Sequence, residues 1–437
     1  MEKYLEKILY NKNYHLLLLL IITVFVYYPT FFNDFMFQWD DQWQVFTATT
    51  ENGFYVENLI NIFTYPFFNQ YFPINQFLYM IVFSIFGDYN SMAFHSLSLL
   101  LHIMNVFLVY FLFLKALFLS RRMLNEHIKP VSFITSLLFA IHPLNVESVA
   151  WISASKILVY TLFFLLSIHL YLNYFEKRKV IYFVLSLLMF LLSFGGKEQA
   201  VILPLCILVV DWLLKRDFKK IGLWVEKIPY FVMALLMGLF TMYVSEYGIT
   251  NESINYTVWD RLIFCCYSYF EYIFKWIAPV NLLYIYPFPS LPEETLPIWL
   301  YFYPLLVLTM FISFRNYIIK EWPILFGLLF FTVNLLMTIH LIPLPRIAIV
   351  ADRYIYLSSV GLSFILAYYW VSFFSKLSKY RTTFITISIL FILYLGIYSN
   401  VRTQVWKNSE TLREKINKII DEHNTVLWDE SQRKSMH

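Results

Sequence analysis

Charge is scarce in this chain. Asp, Glu, Lys and Arg make up 14% of its 437 residues, where a soluble domain carries about 25%. That shortage excludes an ordinary water-soluble globule. Cysteine is scarcer still: of three in all, Cys206 lies in an apolar run and Cys265 and Cys266 are neighbours. Such spacing suits neither a disulfide framework nor a metal cage. No Gly-rich phosphate loop, solenoid-period repeat or low-complexity tract is present. One stretch lacks positive charge altogether, for residues 32–92 hold Asp34, Asp40, Asp41, Glu51, Glu57 and Asp88 but no lysine or arginine.

What the chain has in abundance is apolar surface, 59% of its residues. A spanning helix needs about 20 mainly apolar residues. Runs of that kind occur near 15–31, 93–117, 131–150, 157–175, 180–194, 199–214, 229–245, 298–314, 322–341, 355–375 and 383–399. They are long and continuous where barrel strands would be short and alternating. The expected fold is therefore an all-α polytopic membrane protein of about 11 transmembrane helices. Residues 1–400 form its transmembrane domain and 401–437 a short polar tail, helical around 404–420. The first run follows Lys3, Lys7 and Lys12 and ends without a small-residue cleavage site, as an uncleaved span would.

Lysines and arginines fall in alternate connections: Lys3/Lys7/Lys12, Arg121/Arg122/Lys129, Lys177/Arg178/Lys179, Lys215/Arg216/Lys219/Lys220, Arg315/Lys320 and Lys376/Lys379/Arg381. The positive-inside rule places these in the cytoplasm. The expected protein is thus a multi-pass cell (inner) membrane protein with a cytoplasmic amino terminus and an extracytoplasmic carboxyl terminus. Its first and fourth extracytoplasmic loops, about 32–92 and 246–297, are long, and long loops tend to carry function. Asp260, Arg261, Glu271 and Lys275 interrupt 256–278, which reads as a helix lying on the outer interface because four charges are costly at bilayer depth.

Polar groups that break the apolar runs gather on the outer side. Asp40 and Asp41 stand between Trp39 and Trp43. Adjacent carboxylates there suit a base, a cation ligand or a substrate clamp, and the bland alternative is an inert, solvated loop end; the two stand level on this motif alone. His142 and Glu147 close the third run and lead to Trp151 and Lys156. Lys197 with Glu198, and Asp352 with Arg353, end further runs on that side, and each could be a neutralising pair. Pairing within each couple does not account for Lys156, Lys197 and Arg353 converging where the two aspartates lie. Cations beside carboxylates suit an anionic lipid headgroup and a general base. In the second span Ser98, His102 and Asn105 share a helical stripe fit for interhelical hydrogen bonds.

Ordered motifs run through the whole chain. They are Asn33-Asp34-Phe35 with Trp39-Asp40-Asp41; Phe94-His95 through Leu101-His102-Ile103-Met104-Asn105; His142-Pro143 with Glu147-Ser148-Val149-Ala150-Trp151-Ile152; and Lys197. Leu203-Pro204, Asp211-Trp212, Glu226-Lys227-Ile228-Pro229, Tyr286-Pro287 with Pro289, Ala351-Asp352-Arg353-Tyr354 with Tyr356-Leu357 and Gly361, and Trp406 follow. In this the chain resembles the transmembrane and tetratricopeptide-repeat containing (TMTC) proteins and their bacterial relatives, of the type C glycosyltransferase class. The resemblance implies transfer of a mannose-like sugar from a polyprenyl-phosphate carrier to an acceptor hydroxyl, as in protein O-glycosylation, outside the cytoplasm. It also implies an essential aspartate in the first outer loop, which falls on Asp40 with Asp41 beside it.

The expected roles follow. Asp40 and Asp41 are catalytic, and Arg353, Lys156 and Lys197 bind the donor phosphate. His142, Glu147, Glu198, Asp352 and His102 support the site. The partners are the lipid-linked sugar donor, a protein or glycan acceptor and membrane lipid, with no nucleic acid. No metal ligand and no cofactor is assigned, a divalent metal staying compatible with the same carboxylates. Three departures stand out: Ser155-Lys156-Ile157 replaces the usual basic-basic-acidic triplet, Phe72 precedes Pro73 where an arginine is common, and 31 residues after Trp406 leave no room for a tetratricopeptide array. A glycan or lipid acceptor then competes with a protein one. The alternative of another class is a transporter or flippase for lipid-linked sugar, in which the same charges hold headgroups without chemistry.

Overall fold

The computed structural model describes residues 11–37, 39–67, 70–246, 256–290, 295–341, 348–377 and 380–423. Lys3, Lys7 and Lys379 of the basic clusters, parts of the 246–297 connection and the end of the tail lie outside the described residues. Among those described, helices make the whole framework, and β-structure is limited to isolated bridges, Phe67 with Gln70 and Tyr286 with Val350.

Each of the eleven apolar runs contains helix. Six helical segments are long and apolar enough to cross a bilayer: Lys12–Phe32, Ser91–Ser120, Ile152–Lys177, Ile221–Val244, Ile298–Lys320 and Arg381–Trp406. Val180–Phe194 and Trp322–Leu335 are shorter apolar helices. The run 131–150, read above as one span, is broken. Asn125–Ile141 and Pro143–Ala150 meet at 56°. Pro143 is the cause, since a residue before proline is pushed out of helical geometry, and His142 accordingly has φ −69° and ψ 131°. A second break follows at Trp151, φ −100° and ψ 119°. Residues 142–154 therefore descend as short helical pieces before Ser155–Lys177 begins.

The residues 32–92 are also more structured than a free loop. They hold short helices at Asp41–Gln44, Ala48–Glu51 and Val56–Thr64, then Pro73–Phe86, whose Asn75, Gln76 and Tyr79 are buried. Val258–Ile277 is one helix within 256–278: Ile263, Phe264, Phe270 and Trp276 are buried while the apolar Val258, Trp259, Phe274 and Ile277 are exposed. The tail carries a helix, Ser409–His423, with Leu412 and Ile416 in the main core.

Ser155–Lys177 runs through the centre of that core, whereas Phe302–Lys320 buries none of its residues. Trp322–Leu335 and Ser359–Lys376 cross at a glycine pair. A Cβ on Gly361 would stand 2.3 Å from the Gly327 carbonyl oxygen, so only glycine permits the approach. That crossing holds the helix that begins just after Arg353.

Candidate active site

The broken segment 142–156 organises the site. Glu147 accepts from the Arg353 backbone N–H with one oxygen, at 2.9 Å, and pairs with the Arg353 guanidinium through the other, at 2.5 Å. Trp151 lies under that guanidinium, 5.4 Å from ring centroid to Cζ, and stacks on Trp406 at 5.5 Å. Ser153 donates its backbone N–H, at 3.1 Å, and its hydroxyl to Oδ1 of Asp41. Lys156 starts the next helix and donates to Gln70 Oε1 at 2.9 Å, over the Phe72 ring.

Lys197 reaches the same place through two glycines. A Cβ on Gly196 would stand 2.4 Å from the Tyr160 nitrogen and 2.8 Å from the Lys156 carbonyl oxygen, so the turn rests directly on the first turn of Ser155–Lys177. The Gly195 carbonyl meanwhile accepts from Ile74 N–H at 3.0 Å, capping the start of Pro73–Phe86. Lys197 then lies over the Tyr354 ring at 5.3 Å.

Asp40 faces these cations. Burial raises its carboxyl above the ordinary carboxylate range, and the charges of Lys156, Arg353 and Lys197 pull it back down. All three basic residues named from the sequence thus act on the expected aspartate. Among the described residues none of Asp40, Lys156 and Lys197 forms an ion pair, so the carboxylate and the ammonium groups do not cancel in contact. Asp41 is different, being fully buried with both oxygens occupied: Oδ1 by Ser153 and Oδ2 by Met36 N–H at 2.7 Å. Burial pushes it to about 6, with the Ser153 and Met36 hydrogen bonds holding it down and the Asp40 charge adding to the rise.

The neutralising couples suggested by sequence adjacency do not form. Arg353 pairs with Glu147, and Asp352 pairs with Arg402 at 2.6 Å while accepting from Tyr286 at 2.9 Å. Successive side chains of a short 3₁₀ turn point apart, so each finds a partner on another element. Lys197 and Glu198 likewise form no ion pair among the described residues. His142 turns away from the aspartates, stacking on Trp276 at 5.3 Å with Nε2 3.0 Å from the Trp276 carbonyl. His102 spends both ring nitrogens inside the bundle, on Tyr356 at 2.7 Å and on the Ala140 carbonyl at 3.1 Å. Of the expected set, Asp40, Asp41, Lys156, Lys197, Arg353 and Glu147 are together, Glu198 is near enough for its charge to act on Lys156, and Asp352 sits behind them on Arg402.

Sequence reasoning missed Ser153, Gln44, Gln70 and Arg402. Gln44 donates to Asp40 Oδ2 at 3.1 Å. Arg402 had a legible signal: a lone arginine at the end of the last span opposite the basic clusters requires an anion. A serine or glutamine among apolar residues carries no comparable mark.

The same architecture occurs in known proteins. The apo crystal structure of an Archaeoglobus fulgidus oligosaccharyltransferase superposes with a TM-score of 0.50 at 13% identity, over 91% of this chain and 56% of that one. The chain has the type C glycosyltransferase fold. The same archaeal enzyme tethered to an acceptor peptide matches at 0.47, 14% identity, 90% of this chain and 55% of that one. In sequence, the chain is 24% identical over 433 residues to a Caenorhabditis elegans protein O-mannosyl-transferase, covering 91% of this chain and 56% of the relative. The chain thus spans about half the length of the curated relative it matches. No protein-family model matches it. A shared fold of this kind does not by itself carry an activity.

Proposed function

We propose that this chain is a membrane glycosyltransferase that moves a monosaccharide, mannose-like, from a polyprenyl-phosphate carrier to an acceptor hydroxyl, with protein O-glycosylation as the favoured use. The observation that carries the reading is Asp40, on which the charges of Lys156, Arg353 and Lys197 act while, among the described residues, it forms no ion pair with any of them. The name of the nematode relative, a protein O-mannosyl-transferase, agrees with it.

The chemistry is a single displacement. The acceptor oxygen attacks the anomeric carbon as Asp40 takes its proton, and the bond from that carbon to the phosphate oxygen breaks with inversion. The departing polyprenyl phosphate gains a negative charge, which the two lysines and Arg353 stabilise more strongly than they hold the intact donor. Arg353 is already charge-balanced by Glu147 in direct contact, so Lys156 and Lys197, which form no ion pair among the described residues, supply the more available positive charge.

The basic connections face the cytoplasm in this reading and the Asp40 end faces out. In a background lacking the native cysteines, Asn52→Cys should react with an impermeant thiol reagent on intact cells and Arg178→Cys should not; labelling at 178 would invert the topology. The deciding assay gives purified protein radiolabelled polyprenyl-phosphate mannose and other polyprenyl-phosphate sugars with serine- and threonine-containing peptides and glycans. Transfer of label with inversion supports the reading. Movement of the lipid-linked sugar across liposomes without transfer would replace it with the flippase.

A further inference from the structure

Two aspartates stand side by side, yet their surroundings assign them different work. Both oxygens of Asp41 are consumed by donors of the protein, one from its own turn, Met36 N–H, and two from Ser153. Asp40 accepts from Gln44 through Oδ2, and its Oδ1 has no hydrogen-bond partner among the described residues. The backbone of Gln44 is held in turn, its main-chain carbonyl accepting from the Gln76 side-chain amide at 2.7 Å. Gln76 lies on Pro73–Phe86, and on that helix Tyr79 bonds the Ile152 carbonyl and the Ser155 hydroxyl, each at 2.8 Å. The turn bearing Asp40 is therefore tied to residues 152–155 twice, directly through Asp41 and indirectly through Gln44, Gln76 and Tyr79, and Lys156 projects from the end of that step.

We propose that Asp41 and Ser153 form a positioning latch that sets the distance and orientation of the Asp40 carboxylate relative to Lys156, with Gln44 selecting the free oxygen as the one that takes the acceptor's proton. The latch rests on the transferase reading for its catalytic effect but not for its existence. A base held loosely by even about 1 Å can lose on the order of 10²-fold in rate while the donor still binds.

The test combines kinetics with amide exchange. With polyprenyl-phosphate mannose and the best serine/threonine peptide as probes, Ser153→Ala and Asp41→Asn should each lower kcat by about 10-fold to 10²-fold and leave donor KM near wild type. Ser153→Thr, which keeps the hydroxyl, should recover most of the lost rate. The double variant Asp40→Asn/Asp41→Asn should be no slower than Asp40→Asn alone, because a latch has nothing to position once the base is gone. Wild-type kcat in both Ser153→Ala and Asp41→Asn would overturn the proposal, as would abolished turnover in Asp41→Asn alongside activity in Asp40→Asn, which would make Asp41 the base. Should the wild-type protein transfer no sugar, the transferase reading fails and exchange still decides the latch. In Asp41→Asn the Met36 and Ser153 amides should exchange at least about tenfold faster, and unchanged exchange at both would refute it.

Discussion

The central helix Ser155–Lys177 carries a charged cluster at each end, and the two are built on opposite plans. Near its last turns Tyr171 donates to Asp211 at 2.5 Å, Lys227 pairs with Asp211 at 2.9 Å, and Arg216 pairs with Glu226 at 2.6 Å while bonding Tyr171. Roughly 22 Å away at 1.5 Å per residue, Lys156 and Lys197 lie near Asp40 and form no ion pair among the described residues. The residue types are nearly the same. At the Asp211 end every charge touches its counter-charge, which neutralises the cluster and joins three helices. At the Asp40 end Gly195 and Gly196, the Ser153–Asp41 bonds and the Glu147–Arg353 pair bring the groups close and keep them out of contact. Holding like charges together without partners opposes stability, and proteins keep such arrangements where function needs them.

Substitutions at the two ends should therefore separate activity from stability. The largest effect belongs to Asp40→Asn, which removes the proposed proton acceptor with little change of volume. Transfer should fall about 10²-fold to 10⁴-fold with the melting temperature unchanged; near-normal transfer would erase the functional half of the comparison. Lys227→Met should do the reverse. It removes the closer of the two ion-pair partners of buried Asp211 and leaves Arg216 at 3.4 Å, so it should cost about 3 kcal/mol of stability, read as lower melting temperature and yield at normal specific activity of the folded fraction.

Gly196→Ala comes next and tests whether close approach is what gathers the lysines. Its Cβ would meet the Tyr160 nitrogen at 2.4 Å, so the turn must move, losing about 1–3 kcal/mol together with donor affinity. Normal donor binding in a destabilised variant would show that Lys197 is not placed by this turn. The smallest effect is a displacement of the pH profile. A base works ionised, and burial raises Asp40, so kcat/KM should fall with decreasing pH along an acid limb above the ordinary carboxylate range. Lys156 pulls that carboxyl down, and Lys156→Met should shift the limb to higher pH, on top of a slower rate. A limb that stays in place would mean that the lysine's charge does not act on the base.

Composition and run length were enough to specify a helical membrane protein, because lipid leaves the backbone no partner but itself and each span must satisfy that rule locally. The scarcity of charge made the surviving charges conspicuous, which is why Asp40, Lys156, Lys197, Arg353 and Glu147 were legible as candidates. Which charge meets which was not. Sequence adjacency suggested Asp352 with Arg353, while the structure joins Arg353 to Glu147 and Asp352 to Arg402, 206 and 50 positions away. The division of labour between Asp40 and Asp41 likewise waits on Ser153, whose type and neighbours are unremarkable in the chain. Hydrophobic periodicity is a property of each segment alone, whereas ion pairing depends on distances of a few ångströms between segments, and only their packing sets those distances.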